Sequence, residues 1–284
     1  MLKQRILTAF FMLAVLLLAL FYASAQTFAV FTGVLIATAG WEWGRLNGAS
    51  AVGAVATGAV CFAACAAIWF SGYLSQPLLP LWCVVGGCWV LGSAALLRGG
   101  VGGWLGLPQA VRWLAGVVAL CVAWAALVEA REIGVVFLLS IMLLVWVADV
   151  CAYFAGRTFG LRFTRGKLAP SISPGKSWEG VWGGVLGVLL LSIVWVATDH
   201  YFQKEGGSFY ALIAARSWLL LPVAVLFMAV MSVAGDLVES LVKRSAGAKD
   251  SSNLLPGHGG VLDRVDALLP TLPLAIMLTR LVAL

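Results

Sequence analysis

The sequence predicts an all-α polytopic membrane protein, a bundle of about nine transmembrane helices with a cytoplasmic N-terminus, and three observations carry that prediction. Hydrophobic residues make up 62% of the 284-residue chain and charged residues 11%, against roughly 25% charged in soluble domains. Apolar runs of about 20 residues, the length that crosses a bilayer, recur from end to end. Basic residues fall overwhelmingly on one side of those runs, as the positive-inside bias requires. The runs are apolar all round and lack the alternation of barrel strands. Nothing resembles a linker, so residues 1–284 form one membrane domain, with N-terminal helices over 1–130 and a chemically richer part over 131–284.

The first run, Ile6 to Phe21, follows Lys3 and Arg5 and precedes Ala23-Ser24-Ala25. It imitates a secretory signal, but its apolar core is long for one, and a retained helix is expected. Further runs cover Thr27 to Trp41, Ala51 to Tyr73, and Pro77 to Leu97. A glycine-rich connection, Arg98 to Pro108, leads to Val111 to Val128, then Ile133 to Phe154, Gly180 to Thr198, Trp218 to Lys243 and Val265 to Leu284. Counting nine spans places Lys3, Arg5, Arg45, Arg98, Arg112, Arg157, Arg162, Arg165, Lys167, Lys176, Lys243, Arg244, Lys249 and Arg264 on the N-terminal side. Only Arg131, Lys204, Arg216 and Arg280 lie opposite. Loops six to seven and eight to nine are therefore expected to face the cytoplasm, where nucleotides are found.

Several residues have unexceptional readings. The six cysteines lie within apolar runs without CxxC spacing and read as packing residues. The tryptophans, mostly toward run ends, read as interfacial anchors. His200 reads as solvated, and the glycines from Gly99 to Gly103 as a flexible cluster.

Chemistry concentrates between Met231 and Asp266. Asp236, Glu239, Lys243, Arg244, Lys249, Asp250, His258, Asp263, Arg264 and Asp266 put ten ionisable residues within 31 positions beside two spans. Each charge reaching the bilayer centre costs about 2.5–3.5 kcal/mol on insertion scales, and helix capping alone does not call for so many. Metal ions and phosphates are the groups that such a mixture compensates, since carboxylates bind the first and Lys, Arg and backbone amides the second. On an ideal helix Asp236, Ser240 and Lys243 share one stripe, with Glu239 about a sixth of a turn away. Pro256-Gly257-His258-Gly259-Gly260 is a tight turn that exposes backbone. Asp263 and Asp266 share a face at a helix start, where the dipole favours negative charge.

The loop between runs six and seven holds Arg157, Arg162, Arg165, Lys167 and Lys176 with Glu179 as its acid. Ser173-Pro174-Gly175-Lys176-Ser177 offers amides, hydroxyls and an ammonium in five residues. It is not a Walker loop, whose first glycine would fall at Pro170.

Ser240-Leu-Val-Lys243-Arg244, Lys249-Asp250 and Leu255-Pro256-Gly257-His258-Gly259-Gly260-Val261-Leu262-Asp263-Arg264-Val265-Asp266 closely resemble the signature of phosphatidate cytidylyltransferases, across about 27 consecutive positions. Asp149 to Arg157 and Ser173 to Gly180 are similar to that family too, with Cys151 and Ser177 near or at places where its members commonly carry Ser or Thr. The N-terminal half resembles it only through hydropathy and Glu42-Trp43. The resemblance implies transfer of the cytidylyl group of CTP to phosphatidate, giving CDP-diacylglycerol and pyrophosphate for phospholipid synthesis. It also implies Mg²⁺, with K⁺ as a candidate second cation, and a homodimer in the bilayer, the inner membrane if the source is bacterial, with the active site facing the cytoplasm. No nucleic-acid partner is expected. On this reading Asp236 and Asp263 ligate the metal, and Lys243, Arg244 and Lys249 hold phosphate oxygens. Lys176 and Ser177 assist from the other loop, with His258 and Arg264 also at the substrates. The rival is a transporter or channel, which would spread charges through mid-membrane in several helices; here they gather at one face.

Overall fold

The computed structural model describes residues 2–76, 78–199 and 207–284. Among these the regular structure is helical except for one small hairpin and an isolated bridge. Every apolar run is a helix: α1 (Leu2–Tyr22), α2 (Ala25–Leu46), α3 (Ala51–Phe70), α4 (Leu79–Leu105), α5 (Gln109–Ile133), α6 (Val135–Phe159), α7 (Trp178–Asp199), α9 (Leu220–Ser245) and the pair α10 (Leu262–Val265) and α11 (Leu268–Val282). By length and composition α3 to α7, α9 and the continuous stretch Leu262–Val282 can each cross a membrane. α1 is apolar over Leu7–Tyr22, and α2 carries Glu42 and Arg45 near its end.

Local chemistry sets the helix starts. Ser24 and Ser50 accept hydrogen bonds from the amides of Thr27 and Gly53, satisfying donors that a helix N-terminus leaves open. Pro108 precedes α5. The expected connection from Arg98 to Pro108 is largely helical instead. α4 runs on to Leu105, broken only at Gly100, whose φ of 61° lies in the left-handed region that glycine alone enters freely.

Three features lie outside the sequence-based expectation. An antiparallel hairpin, β1 (Lys167–Ala169) and β2 (Ser173–Ser177), pairs Lys167 with Ser177 within the loop before α7. A short helix, α8 (Phe209–Arg216), packs inward between α7 and α9, held where the Ser140 hydroxyl accepts from the Phe209 amide at 3.0 Å. Several tryptophans are core residues, not interfacial anchors: Trp43, Trp82, Trp104 and Trp124 are buried. Three of their indoles find partners in the bundle, Trp43 at the Arg112 carbonyl, Trp82 at Glu129 and Trp124 at the Ala29 carbonyl, while Trp104 Nε1 has none among the described residues. The cysteines are all free, and Cys61, Cys65 and Cys121 are core residues as expected. His200 lies outside the described residues.

Close helix pairs rely on small residues, as membrane bundles do. α7 presents Gly180, Gly183, Gly184 and Gly187 to Ala148, Cys151, Ala152 and Ala155 of α6, and α2 meets α3 through Gly40, Gly44 and Gly58. At Gly235 of α9 an added Cβ would fall 2.6 Å from the Asp266 carbonyl oxygen. That close approach brings the acids of α9 beside those of the break between α10 and α11.

Candidate active site

The C-terminal ends of α2, α6 and α9, the N-terminal ends of α7 and α10, and the hairpin converge on one end of the bundle. The hairpin is fastened to α9 twice. Lys176 Nζ on β2 meets Asp236 Oδ2 at 2.5 Å. Arg244 donates from Nε to the Ile172 carbonyl at 3.2 Å and from Nη1 to the Ala248 carbonyl at 3.1 Å. Arg244, expected at a substrate phosphate, thus ties loop to helix. The rest of the basic loop is folded by its acid: Glu179 accepts from the amides of Phe163 and Thr164 and from the Thr164 hydroxyl. Ser177 is buried and accepts from the Gly180 amide, which starts α7.

A cavity of about 390 Å³ opens between α6, α7 and α9. One end carries Asp149, Tyr153, Arg157, Lys176, Ser177 and Asp236, and the other is apolar, with Val181, Val185, Ala229 and Val233. A second, apolar cavity shares Val185 and continues between α7 and α9 past Leu189 and Pro222. The apolar end of the first cavity thus adjoins, at Val185, a groove lined by hydrocarbon side chains.

The loop from Lys249 to Val261 forms a second polar region. Lys249, Asp250, Asn253, His258 and Arg264 border a cavity of about 350 Å³. Lys249 and Arg264 are exposed, and no side-chain hydrogen bond or ion pair engages them among the described residues. His258 donates its amide to the Leu255 carbonyl, while its buried Nδ1 has no hydrogen-bond partner among the described residues. A buried nitrogen in that state calls for a ligand or water. Arg264 is also within electrostatic reach of Asp149 in the first cavity, so the two regions adjoin.

Asp236 and Asp263, expected at one metal, are engaged by different lysines. Asp263 Oδ1 accepts from Lys243 Nζ at 2.6 Å. Its Oδ2 accepts from the Ser251 amide and hydroxyl at 2.8 Å and from the Gly260 amide at 2.7 Å. Lys243 is buried and also pairs with Glu239. The acids within electrostatic reach of Asp236 are Asp149 and Asp266. Asp149 has no hydrogen bond or ion pair among the described residues, and Asp236 accepts from Ser240 at 3.2 Å besides Lys176.

Among the described residues no cluster of three or more His, Cys, Asp or Glu forms a ready metal cage. Mg²⁺ keeps several waters and is held by one or two carboxylates together with substrate phosphates, and the acids available for such a role are Asp236 with Asp149 or Asp266, both of which lie within electrostatic reach of it.

Sequence reasoning left the role of Asp149 open and gave Glu42 none beyond its place in a dipeptide. Glu42, far upstream on α2, is fully buried and bound to the loop before α10. The signal available was an acid closing an apolar run, a placement beside the membrane that calls for partners.

Comparison with known proteins places the chain in a family. A family model described as "Cytidylyltransferase family" matches residues 3–282. A phosphatidate cytidylyltransferase of Pseudomonas aeruginosa is 40% identical over 281 residues, covering 96% of this chain and 95% of the relative. Proteins of the same description from Haemophilus influenzae and Brucella suis are 46% identical over 143 residues and 39% over 193, covering 49% and 67% of this chain and 44% and 62% of their own lengths.

Proposed function

The chain belongs to the cytidylyltransferase family, and from that premise we propose how its site works. It transfers the cytidylyl group of CTP to phosphatidate, giving CDP-diacylglycerol and pyrophosphate. A phosphate oxygen of phosphatidate forms a bond to the α-phosphorus of CTP, and the bond from that phosphorus to the pyrophosphate oxygen breaks. Both reactants are anions, so the protein must neutralise and align them; no covalent protein nucleophile is needed.

The single observation that carries the assignment of subsites is the cavity that is polar at Lys176 and apolar beyond Val185. Such a cavity suits a phosphate attached to acyl chains and dissolved in the bilayer. Lys176 and Arg157 offer cations to that phosphate, and the Ser177 hydroxyl lines the same wall. The water-exposed loop cavity suits the triphosphate: among the described residues Lys249 and Arg264 have uncommitted cationic heads, and His258 Nδ1 lacks a partner. Lys243 supports this region through Asp263, and Arg244 through the hairpin.

Mg²⁺ fits at Asp236 with Asp149 or Asp266, and Asp263 joins only by exchanging Lys243. Bound there, the ion would polarise the α-phosphate and ease pyrophosphate departure. K⁺ is proposed as a second cation in the same acidic region. The N-terminus and both polar loops are assigned to the cytoplasmic face of a bacterial inner membrane, from the bias of basic residues. The protein is proposed to act as a homodimer.

The experiment is release of labelled pyrophosphate from CTP on adding phosphatidate, with Mg²⁺ present and then chelated. Phosphatidate-dependent release that stops on chelation is expected. Release independent of phosphatidate, or none at all, refutes the assignment.

A further inference from the structure

Resting on that reading, we propose that Glu42 of α2 is a positioning residue for the nucleotide subsite, holding the loop of Lys249 and His258 in its working shape from the opposite half of the chain. The loop has little regular structure of its own, with one isolated bridge between Leu255 and Gly259. What gathers it is a carboxylate. Glu42 Oε1 accepts from the Ser252 hydroxyl at 2.5 Å and the Val261 amide at 3.0 Å. Its Oε2 accepts from the Leu262 amide at 2.7 Å and lies 3.2 Å from the Ser251 hydroxyl.

Three of these partners, the Ser252 hydroxyl and the Val261 and Leu262 amides, donate to the buried negative charge, while the Ser251 hydroxyl gives its one proton at the shorter distance to Asp263. A carboxamide in the same place would turn its NH₂ toward one or more of these donors, so glutamine is a poor replacement despite its shape. Gly260 supplies a second, independent sign of the fit: a Cβ there would collide with the Glu42 carboxylate and the Ser251 hydroxyl.

The contact reaches the charged centre. Ser251 also contacts Asp263 through its amide and its hydroxyl, both at 2.8 Å, and Asp263 holds Lys243. On its other side Glu42 is anchored by its neighbour. The Trp43 indole donates to the Arg112 carbonyl at 3.0 Å, and its ring fills the space where a Cβ on Gly116 would sit. Glu42 lines neither the lipid cavity nor the His258 cavity, so its effect on substrate is exerted through the loop.

The test uses the full chain in lipid nanodiscs, comparing wild type with Glu42→Gln and Glu42→Asp while CTP and phosphatidate are varied separately. Glu42→Gln should lower kcat/KM for CTP by about 10- to 100-fold, the usual cost of losing a group that orients another, mainly through KM. The phosphatidate KM should stay within about twofold, and Glu42→Asp, which keeps the charge, should recover part of the loss. A merely structural role would reduce the amount of active enzyme and leave both KM values alone; that result overturns the proposal. Hydrogen exchange over residues 250–262 judges the same point without turnover. Faster exchange in Glu42→Gln is expected, and unchanged exchange overturns the proposal even if the wild type proves inactive and the functional reading itself fails. Should Glu42→Gln not fold, Ser252→Ala, which removes one donor, must show a several-fold rise in CTP KM, and an unchanged value overturns the proposal.

Discussion

Two lysine–aspartate pairs stand at the same end of the bundle and are built for opposite tasks. Lys176 and Asp236 meet across two elements with side chains 26% and 28% exposed, while Lys243 and Asp263 meet with 11% and 5% exposed. Asp236 has one further partner, Ser240, and faces a cavity. Asp263 has three further hydrogen bonds, and its lysine has a second acid in Glu239. A pair with few bonds at a cavity wall can exchange its partner for a phosphate or a cation at little cost. A pair buried in a network cannot, because removing one member strands a charge away from water. The first pair is therefore suited to contact ligands, and the second to fix the loop that contacts them.

The comparison can be broken most decisively at Asp263. Asp263→Asn should abolish pyrophosphate release while the chain remains folded. It should also lower stability by about 3–5 kcal/mol, the usual cost of breaking a buried pair, seen as a clear drop in Tm in detergent. Substantial retained activity would end the role given to the inner pair. At Asp236 the balance should reverse. Asp236→Asn should slow turnover by about 10²–10³-fold, as loss of one electrostatic stabiliser does, and shift stability by no more than about 1 kcal/mol. A Tm loss as large as that of Asp263→Asn would erase the distinction.

Lys176→Met sharpens the comparison on the lipid side. Losing one charge-assisted hydrogen bond of about 1.5 kcal/mol should raise the phosphatidate KM about tenfold and leave the CTP KM unchanged; steady-state titration of each substrate checks this. The smallest effect belongs to Arg162, an exposed residue whose guanidinium lies 5.9 Å from the centre of the Phe159 ring. Arg162→Ala should change either KM by less than about twofold, in line with the small worth of exposed charges. A larger effect would extend the lipid subsite into the basic loop.

Much of this was legible from composition and pattern. The spans follow from apolar length, and the polar stretch from Asp236 to Asp266 stands out because charge beside a membrane is costly. Elements that draw their stability from elsewhere were hidden. The hairpin strands have three and five residues and no alternating pattern, and they stay in place through Arg244 and Lys176. Helix α8 is eight residues long, too short to register as a span, and docks through Ser140. Gly100 read as part of a loop because glycine weakens helices, yet its neighbours on both sides remain helical. The tryptophans looked interfacial by position, but whether an indole faces headgroups or a carbonyl in the next helix depends on packing.

From composition and pattern alone it follows that the chain lives in a bilayer, that a polar stretch from Asp236 to Asp266 interrupts its apolar runs, and which family it resembles. These are matters of composition, spacing and motif, which require no knowledge of neighbours. Which acid faces which base is set by the folded bundle: Asp236 with Lys176, Asp263 with Lys243, and Glu42 with a loop more than 200 positions away. Pairing of that kind arises where helices distant in the chain approach within hydrogen-bond reach, and in a low-dielectric interior each buried charge must find such a partner.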